Sequence, residues 1–342
     1  MRRIVLLGVL LVGLSWIQAQ IPAGYYDGTE GLYREALHSK LHQIIKGNKV
    51  FTYGDARYIL DETDRDPNKS SNIILVYGGY SVSSTWDYGK TWNREHVWAK
   101  SHGDFGTDDG PGSDLHNLKP ADESVNADRS NKDFDEGGWQ ESDYSPPSGY
   151  SSPYKTGCYT DDDSWEPRDE VKGDIARIIL YMDVRYDGGD GFPDLQVVDK
   201  VPSITSITFY QPYHGKLSTL LKWNEQDPPD DFERHRNDVI YSYQNNRNPF
   251  IDHPEFVNAI WGKNAAIDAK DKSSDRVYYS KGNVVCENNS IESKSLQVFN
   301  PAGKQIYNSS VAAGKKADIP TTGFPALVIV KLGAKATKVV ID

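Results

Sequence analysis

Between Asn93 and Asn131 a short charged strand, a glycine-rich loop, a second short strand and a capped helix follow one another, and this order constrains the fold more than any other part of the chain. Asn93-Arg94-Glu95-His96-Val97-Trp98 sets a carboxylate beside an imidazole in an aromatic frame. Gly103 to Ser113 is rich in Gly, Pro, Asp and Thr and reads as a loop. Leu115 to Lys119 reads as a strand ended by Pro120, and Asp122 suits the N-cap of a helix from Glu123 to about Asn131. A hard divalent cation takes oxygen ligands such as Glu95 and Asn126. A hydrolytic site also needs a base that is neutral near pH 7, such as His96. Taken singly, each residue has a plainer reading: Glu95 paired with Arg94 or Arg129, Asn126 capping nearby backbone, His96 packed between Trp92 and Trp98. Their joint spacing favours the chemical roles. Neighbours on an extended strand face opposite ways, so Glu95 and His96 share a site only at a bulge or a strand end.

Trp92–Trp98, Asp114–Asn131, Gly173–Tyr186 and Asn245–Glu255 form four ordered blocks across most of Tyr25 to Trp261. Together they resemble the bacterial endonuclease I family of secreted, non-specific nucleases with a ββα-metal active site. The resemblance implies that Glu95 and Asn126 hold the metal and that His96 activates the attacking water. It implies Mg²⁺ as the ion, with Ca²⁺ or Mn²⁺ also compatible. The family further uses an arginine to stabilise the pentacoordinate phosphate or the leaving group, in some members between the two strand motifs. No arginine occurs here from Val97 to Asp128, so Arg129, one turn after Asn126, is the expected substitute, with Arg177, Lys100 and Lys119 behind it. His116, Asn117, Arg94 and Arg177 are expected to orient these groups or to meet substrate. Zinc is disfavoured, because C-x₂-C spacing is absent and both cysteines lie far from the motif. Arg247 and Asp252 are expected to form a buried ion pair, with His253 as a turn residue. The aspartates at 108–109 and 161–163 read as solvated loop charge.

Arg2 and Arg3, the apolar run Ile4–Leu14 and Ala19 read as a signal peptide over residues 1–19. The run is shorter than the roughly 20 residues of a membrane span, so an exported protein, secreted or at the cell surface, is expected. Cys158 and Cys286 make no disulfide framework, and no essential bridge is expected. The net charge of −11 sits awkwardly with phosphate binding, although a bound cation would supply positive charge where phosphate docks. Two alternatives to a DNA-cutting enzyme, with RNA as a further substrate, stand open. One is a narrower ribonuclease. The other is a non-catalytic surface adhesin or carbohydrate-binding protein, suggested by the acidic body and the 21 tyrosines and 8 tryptophans.

The expected fold class is α+β: a nuclease domain over 20–264 with several helices, then a small all-β sandwich over 265–342. Leu32, Ala36, Leu37 and Leu41 fall at helical spacing, as do Ile175, Ile178, Ile179 and Met182 in an amphipathic helix over Asp174–Tyr186. Asp174, Arg177, Tyr181 and Arg185 would form its polar stripe. Short helices are expected over Lys216–Trp223 and Phe232–Tyr243, stopped later by Pro249 and Pro254. Asn72–Tyr80 reads as one buried strand, Asp133–Asp163 as a long surface loop, and Val198–Tyr210 as loop or strand. After Asn264 tryptophan disappears and the charge turns positive. Ser295–Phe299, Gln305–Tyr307, Ala326–Lys331 and Lys338–Ile341 read as strands, with Pro301–Lys304 as a hairpin turn. This pattern resembles the C-terminal sorting module of type IX secretion cargo, with Pro325 and Ala326 a modest departure. The resemblance implies the secretion machinery as a partner.

Overall fold

Helix 1 (α1, Arg34–Ile45) turns Leu37, Leu41 and Ile45 inward at intervals of four residues, the spacing that lines one face of a helix. The computed structural model describes residues 21–201, 210–262, 275–289, 293–333 and 335–341. The chain falls into two compact units, one ending at Gly262 and one holding the C-terminal strands.

In the larger unit α2 (Tyr53–Thr63) starts at Thr52, whose hydroxyl accepts from the Asp55 amide, and buries Ala56, Ile59 and Leu60. The expected single strand over Asn72–Tyr80 is instead a hairpin, β1 (Asn72–Ile74) against β2 (Ser81–Ser83). Leu75 to Gly79 folds back, with the Gly79 amide donating to the Leu75 carbonyl, and Gly79 supplies the positive φ of this turn. β3 (Asn93–His96) pairs with β4 (Leu118–Ala121), and α3 (Glu123–Arg129) follows. Asp133–Asp163, expected as a loop, forms a sheet. β5 (Asp133–Phe134), β6 (Trp139–Asp143), β7 (Tyr154–Thr160) and β8 (Ser164–Glu166) lie in the order β5-β8-β7-β6. Phe134, Cys158 and Trp165 anchor it as buried side chains.

The central helix α4 (Lys172–Arg185) is buried on every side from Gly173 to Arg185, which corrects the amphipathic reading. Its polar stripe is tolerated inside because each member has a partner. Arg177 pairs with Glu233 at 2.6 Å, Arg185 with Asp190 at 2.9 Å, and the Tyr181 hydroxyl donates to Asp114 at 2.9 Å. Gly173 is required by close approach, since a Cβ there would lie 1.9 Å from the Asp227 carbonyl oxygen. A parallel pair, β9 (Gln196–Val197) and β10 (Tyr213–His214), comes next. Most of the ambiguous segment Val198–Tyr210 lies outside the described residues. The helices α5 (Leu217–Gln226), α6 (Asp231–Gln244), α7 (Pro249–Asp252) and α8 (Glu255–Trp261) complete the unit. Pro249 and Pro254 begin α7 and α8 rather than ending helices, because a first-turn residue has no amide bond to lose. Arg247 and Asp252 form the expected buried pair at 2.6 Å.

The C-terminal unit contains β11 (Arg276–Ser280), β12 (Asn283–Glu287), β13 (Lys294–Phe299), β14 (Gln305–Val311), β15 (Lys316–Pro320), β16 (Leu327–Leu332) and β17 (Lys335–Val340). They make two antiparallel sheets, β11-β12-β15 and β14-β13-β16-β17. Val284 and Ile319 from the first sheet share one core with Leu296, Val298, Val328 and Val330 from the second. Cys158 and Cys286 are buried free thiols. Among the described residues no helix is long and apolar enough to cross a membrane.

Candidate active site on the β3–β4–α3 segment

Two contacts a turn apart lash α3 to β3. The Asn126 amide donates to Asn93 Oδ1 at 2.7 Å, and Arg129 Nη1 lies 3.2 Å from Glu95 Oε1. Asn93 and Glu95 are two apart on the strand, and Asn126 and Arg129 three apart on the helix, so each pair shares a face. The helix starts where Asp122 accepts from the Ser124 and Val125 amides, so the expected cap is present, and it ends at Arg129. His116 and Asn117 lie in the turn before β4, not on a strand. Pro120 sits within β4, which corrects the expected strand end. Its carbonyl points away from β3 and accepts from the Val76 amide, so its missing N–H removes nothing from the ribbon.

Glu95 is buried, and two donors converge on Oε1: Arg129, and the Tyr77 hydroxyl at 2.6 Å. Burial pushes the Glu95 carboxyl above its ordinary range, and Arg129 and Tyr77 oppose that push. Burial, reinforced by Glu95, holds Tyr77 as a protonated phenol, so it stays a donor. Because the Asn126 NH₂ is used on Asn93, its amide oxygen is the group left for a ligand. An anionic and a neutral oxygen donor on adjacent elements fit a hard divalent cation.

His96 is the last residue of β3, and the register contains no bulge at this point. Its ring lies on the opposite strand face from Glu95, stacked on Tyr53 at 5.3 Å and 14°. His96 Nε2 is 2.9 Å from the Gly112 carbonyl oxygen. That oxygen only accepts, so Nε2 carries the proton and the neutral ring keeps its lone pair on Nδ1. Burial pushes the His96 pKa down to about 4, so the ring is neutral at ordinary pH. Asn117 secures the loop that carries Gly112. Its side chain accepts from the Trp98 amide at 2.7 Å and donates to the Pro111 carbonyl at 3.2 Å. A Cβ on Gly112 would meet the Asp108 and Gly106 carbonyls at 2.8 Å, so glycine is needed there.

Arg129 is 1% exposed and donates to the carbonyls of His96 (3.1 Å) and Val97 (2.7 Å) as well as facing Glu95. It also lies 3.3 Å from His214 Nε2. A guanidinium only donates, so Nε2 accepts and His214 Nδ1–H points to Asp133 Oδ1, 3.0 Å away. With His102 these two residues form the group among the described residues whose ligand atoms, all within 4.8 Å of one another, are spaced to hold a metal ion. His102 Nδ1 is already 2.6 Å from the Tyr213 carbonyl, and Arg129 brings a positive charge to the same cluster.

The remaining expected residues are placed elsewhere. Arg177 is fully buried in a bidentate pair with Glu233. Lys119 is paired with Asp64 at 2.7 Å, and Lys100 is exposed. Arg94 is half-buried over the Tyr53 ring at 3.7 Å. His116 sits in a buried polar node, its ring 4.5 Å from Tyr181 and its Nε2 3.4 Å from the Asn246 carbonyl. Tyr77, Gly112 and His214 escaped the sequence reading. Their partners lie 18, 16 and 85 positions away, and no local pattern marks them.

His116 carries a pH prediction. Burial pushes its pKa down to about 4 in the folded chain, with Asp114 opposing, whereas an unfolded histidine titrates near ~6.5. Between these values the unfolded chain binds the extra proton, so stability is complete above about pH 6.5 and falls as the pH drops toward 4. The loss is on the order of 3 kcal/mol from this residue. Urea midpoints measured from pH 7 to 4.5 should fall, and His116→Gln should flatten that slope. An unchanged slope in the variant would contradict the assignment.

The model of the endonuclease I family matches residues 34–255. The chain is 52% identical over 240 residues to the extracellular ribonuclease of Bacillus subtilis (strain 168), covering 69% of this chain and 78% of that protein. The extracellular ribonuclease of Bacillus amyloliquefaciens matches with the same identity and coverage. An extracellular deoxyribonuclease of Aeromonas hydrophila is 32% identical over 139 residues, 41% of this chain and 49% of that protein. With a matched strand–turn–strand–helix segment that carries a neutral buried histidine beside a buried carboxylate, the chain belongs to the endonuclease I family.

Proposed function

We propose that this protein is a secreted, divalent-metal-dependent endonuclease of low sequence specificity that hydrolyses phosphodiester bonds in DNA and RNA at a ββα-metal site. The observation that carries the reading is the His96 Nε2–H bond to the Gly112 carbonyl, which leaves Nδ1 free to accept a proton from the attacking water. Glu95 and Asn126 would hold the ion, Mg²⁺ by preference. When bound, it neutralises charge on the phosphoryl oxygens and stabilises the leaving oxygen. His96 and Glu95 occupy opposite strand faces, so the scissile phosphate would lie over the strand end where both are reached. Both Nη groups of Arg129 are committed, to Glu95 and to the carbonyls of His96, Val97 and Ser130. Its role is therefore positioning: it keeps Glu95 aimed and compensates its charge.

Two relatives named extracellular ribonuclease and one named extracellular deoxyribonuclease support the secreted reading and keep both substrates in play. Residues 1–19 would be the signal peptide, and the C-terminal β unit a sorting-like module that meets a secretion machinery. The test incubates purified mature protein with plasmid DNA and with RNA, in Mg²⁺, Mn²⁺, Ca²⁺ or EDTA. Both substrates should be cut in Mg²⁺, spared in EDTA, and cut again when excess Mg²⁺ is restored. Cutting of RNA alone would select the ribonuclease reading, EDTA-insensitive cutting would remove the metal, and no cutting in any metal would sink the enzyme.

A further inference from the structure

We propose that Tyr58, Arg57, Trp86 and Arg94 form a track that binds single-stranded nucleic acid, taking phosphates on the arginines and unstacked bases on the aromatic rings. The proposal rests on the nuclease reading and names the form of substrate that the same site prefers. The track is continuous. From His96, the ring of Tyr53 lies 5.3 Å away, the Arg94 guanidinium lies 3.7 Å over Tyr53 and 4.9 Å from Trp86, and Arg57 lies 5.9 Å from Trp86 and 4.6 Å over Tyr58. Its outer end is open, because Tyr58 is 63% exposed. Tyr53 and Arg57 are four apart on α2 and share a helix face, and Trp86 is braced edge-on against buried Trp92 at 5.0 Å.

Charge sets this track apart from the buried arginines of the larger unit. The chain carries 49 acidic and 38 basic residues, and Arg129, Arg177, Arg185, Arg236 and Arg247 each pair with a carboxylate. Arg57 and Arg94 are in no ion pair among the described residues. Arg94 donates to the Tyr53 carbonyl and Arg57 to the Tyr58 hydroxyl at 3.0 Å, both neutral acceptors. The Nε of each is buried without a hydrogen-bond partner. Two cations held close together without a counter-carboxylate, in a chain rich in carboxylates, are placed to receive an external anion. Alternating aromatic faces and arginines suit a strand whose bases are already unstacked, since every base offers a π-face. A duplex keeps its bases stacked and could use only the arginines.

The full-length His96→Ala protein in EDTA supplies the test, so that the probe survives. Fluorescence anisotropy reads the affinity for a labelled dT₁₂ single strand and for a labelled hairpin duplex of equal charge. Tyr58→Ala should weaken single-strand binding by about 5- to 10-fold. Tyr58→Phe, which keeps the π-face, should bind as the parent does. Arg57→Gln should lower the slope of log affinity against log salt by about one phosphate contact. Duplex affinity should barely change in Tyr58→Ala. Single-strand binding unchanged in both Tyr58→Ala and Arg57→Gln, equal losses on duplex, or no measurable binding in the parent would overturn the track. Plasmid cleavage by the wild-type protein is scored separately. Cleavage with an inert track defeats only this inference, whereas a functioning track without cleavage defeats the nuclease reading.

Discussion

On the proposed nuclease reading, His96→Ala should lower kcat on plasmid DNA and on RNA by about 10²- to 10⁴-fold, with the fold retained. The expectation follows from tautomer and position. The Gly112 carbonyl fixes the proton on Nε2, so Nδ1 is the ring atom able to accept one. The pKa pushed down to about 4 keeps it available across the neutral range. The alanine variant leaves the Gly112 carbonyl unpartnered and the Tyr53 face uncovered, so circular dichroism and the urea midpoint should accompany the kinetics. A loss of activity matched by a loss of folded protein would make His96 structural. A folded variant that still cuts at more than a tenth of the parent rate would remove it as the base.

Arg177→Ala should cost about 3–5 kcal/mol of folding stability, because it leaves the buried Glu233 carboxylate without its bidentate partner. The expected readout is a large drop in the urea midpoint, with the specific activity of the remaining folded protein unchanged. Replacing both members, Arg177→Met with Glu233→Leu, should recover most of the stability, because an apolar pair leaves no uncompensated charge. Stability near that of the parent with activity lost would instead put Arg177 in the chemistry.

Local signals were legible where local physics decides. Asp122 capped α3 as read, since an N-cap needs only the next two or three amides. The β13–β14 hairpin was legible for the same reason, with Gly303 in the turn and its amide donating to the Asn300 carbonyl. The β6–β7 sheet was not. Its strands carry Gln, Glu, Ser, Thr and Tyr with Gly157 inside, and their pairing partners lie up to about twenty positions away. The polar stripe of α4 misled for a related reason. A 3.6-residue period separates apolar from polar positions, but cannot reveal that Glu233 and Asp114 wait inside for Arg177 and Tyr181. In the candidate site, Glu95, His96, Asn126 and Arg129 were legible as a pattern. The partners that decide how each is used, Tyr77, Gly112, Asn93 and His214, come from elsewhere in the chain or carry no motif of their own.

The two buried free thiols have a consequence for when the protein becomes dangerous to its producer. Disulfide-dependent exported enzymes have an oxidation step that delays folding until the chain reaches an oxidising compartment. Among the described residues neither unit is closed by a disulfide, and both are built around apolar cores. Folding without an oxidant is the expected result, and reductant should leave the activity untouched. For a nuclease bound for export, the race between folding and translocation decides whether the cell's own nucleic acid is ever exposed to it.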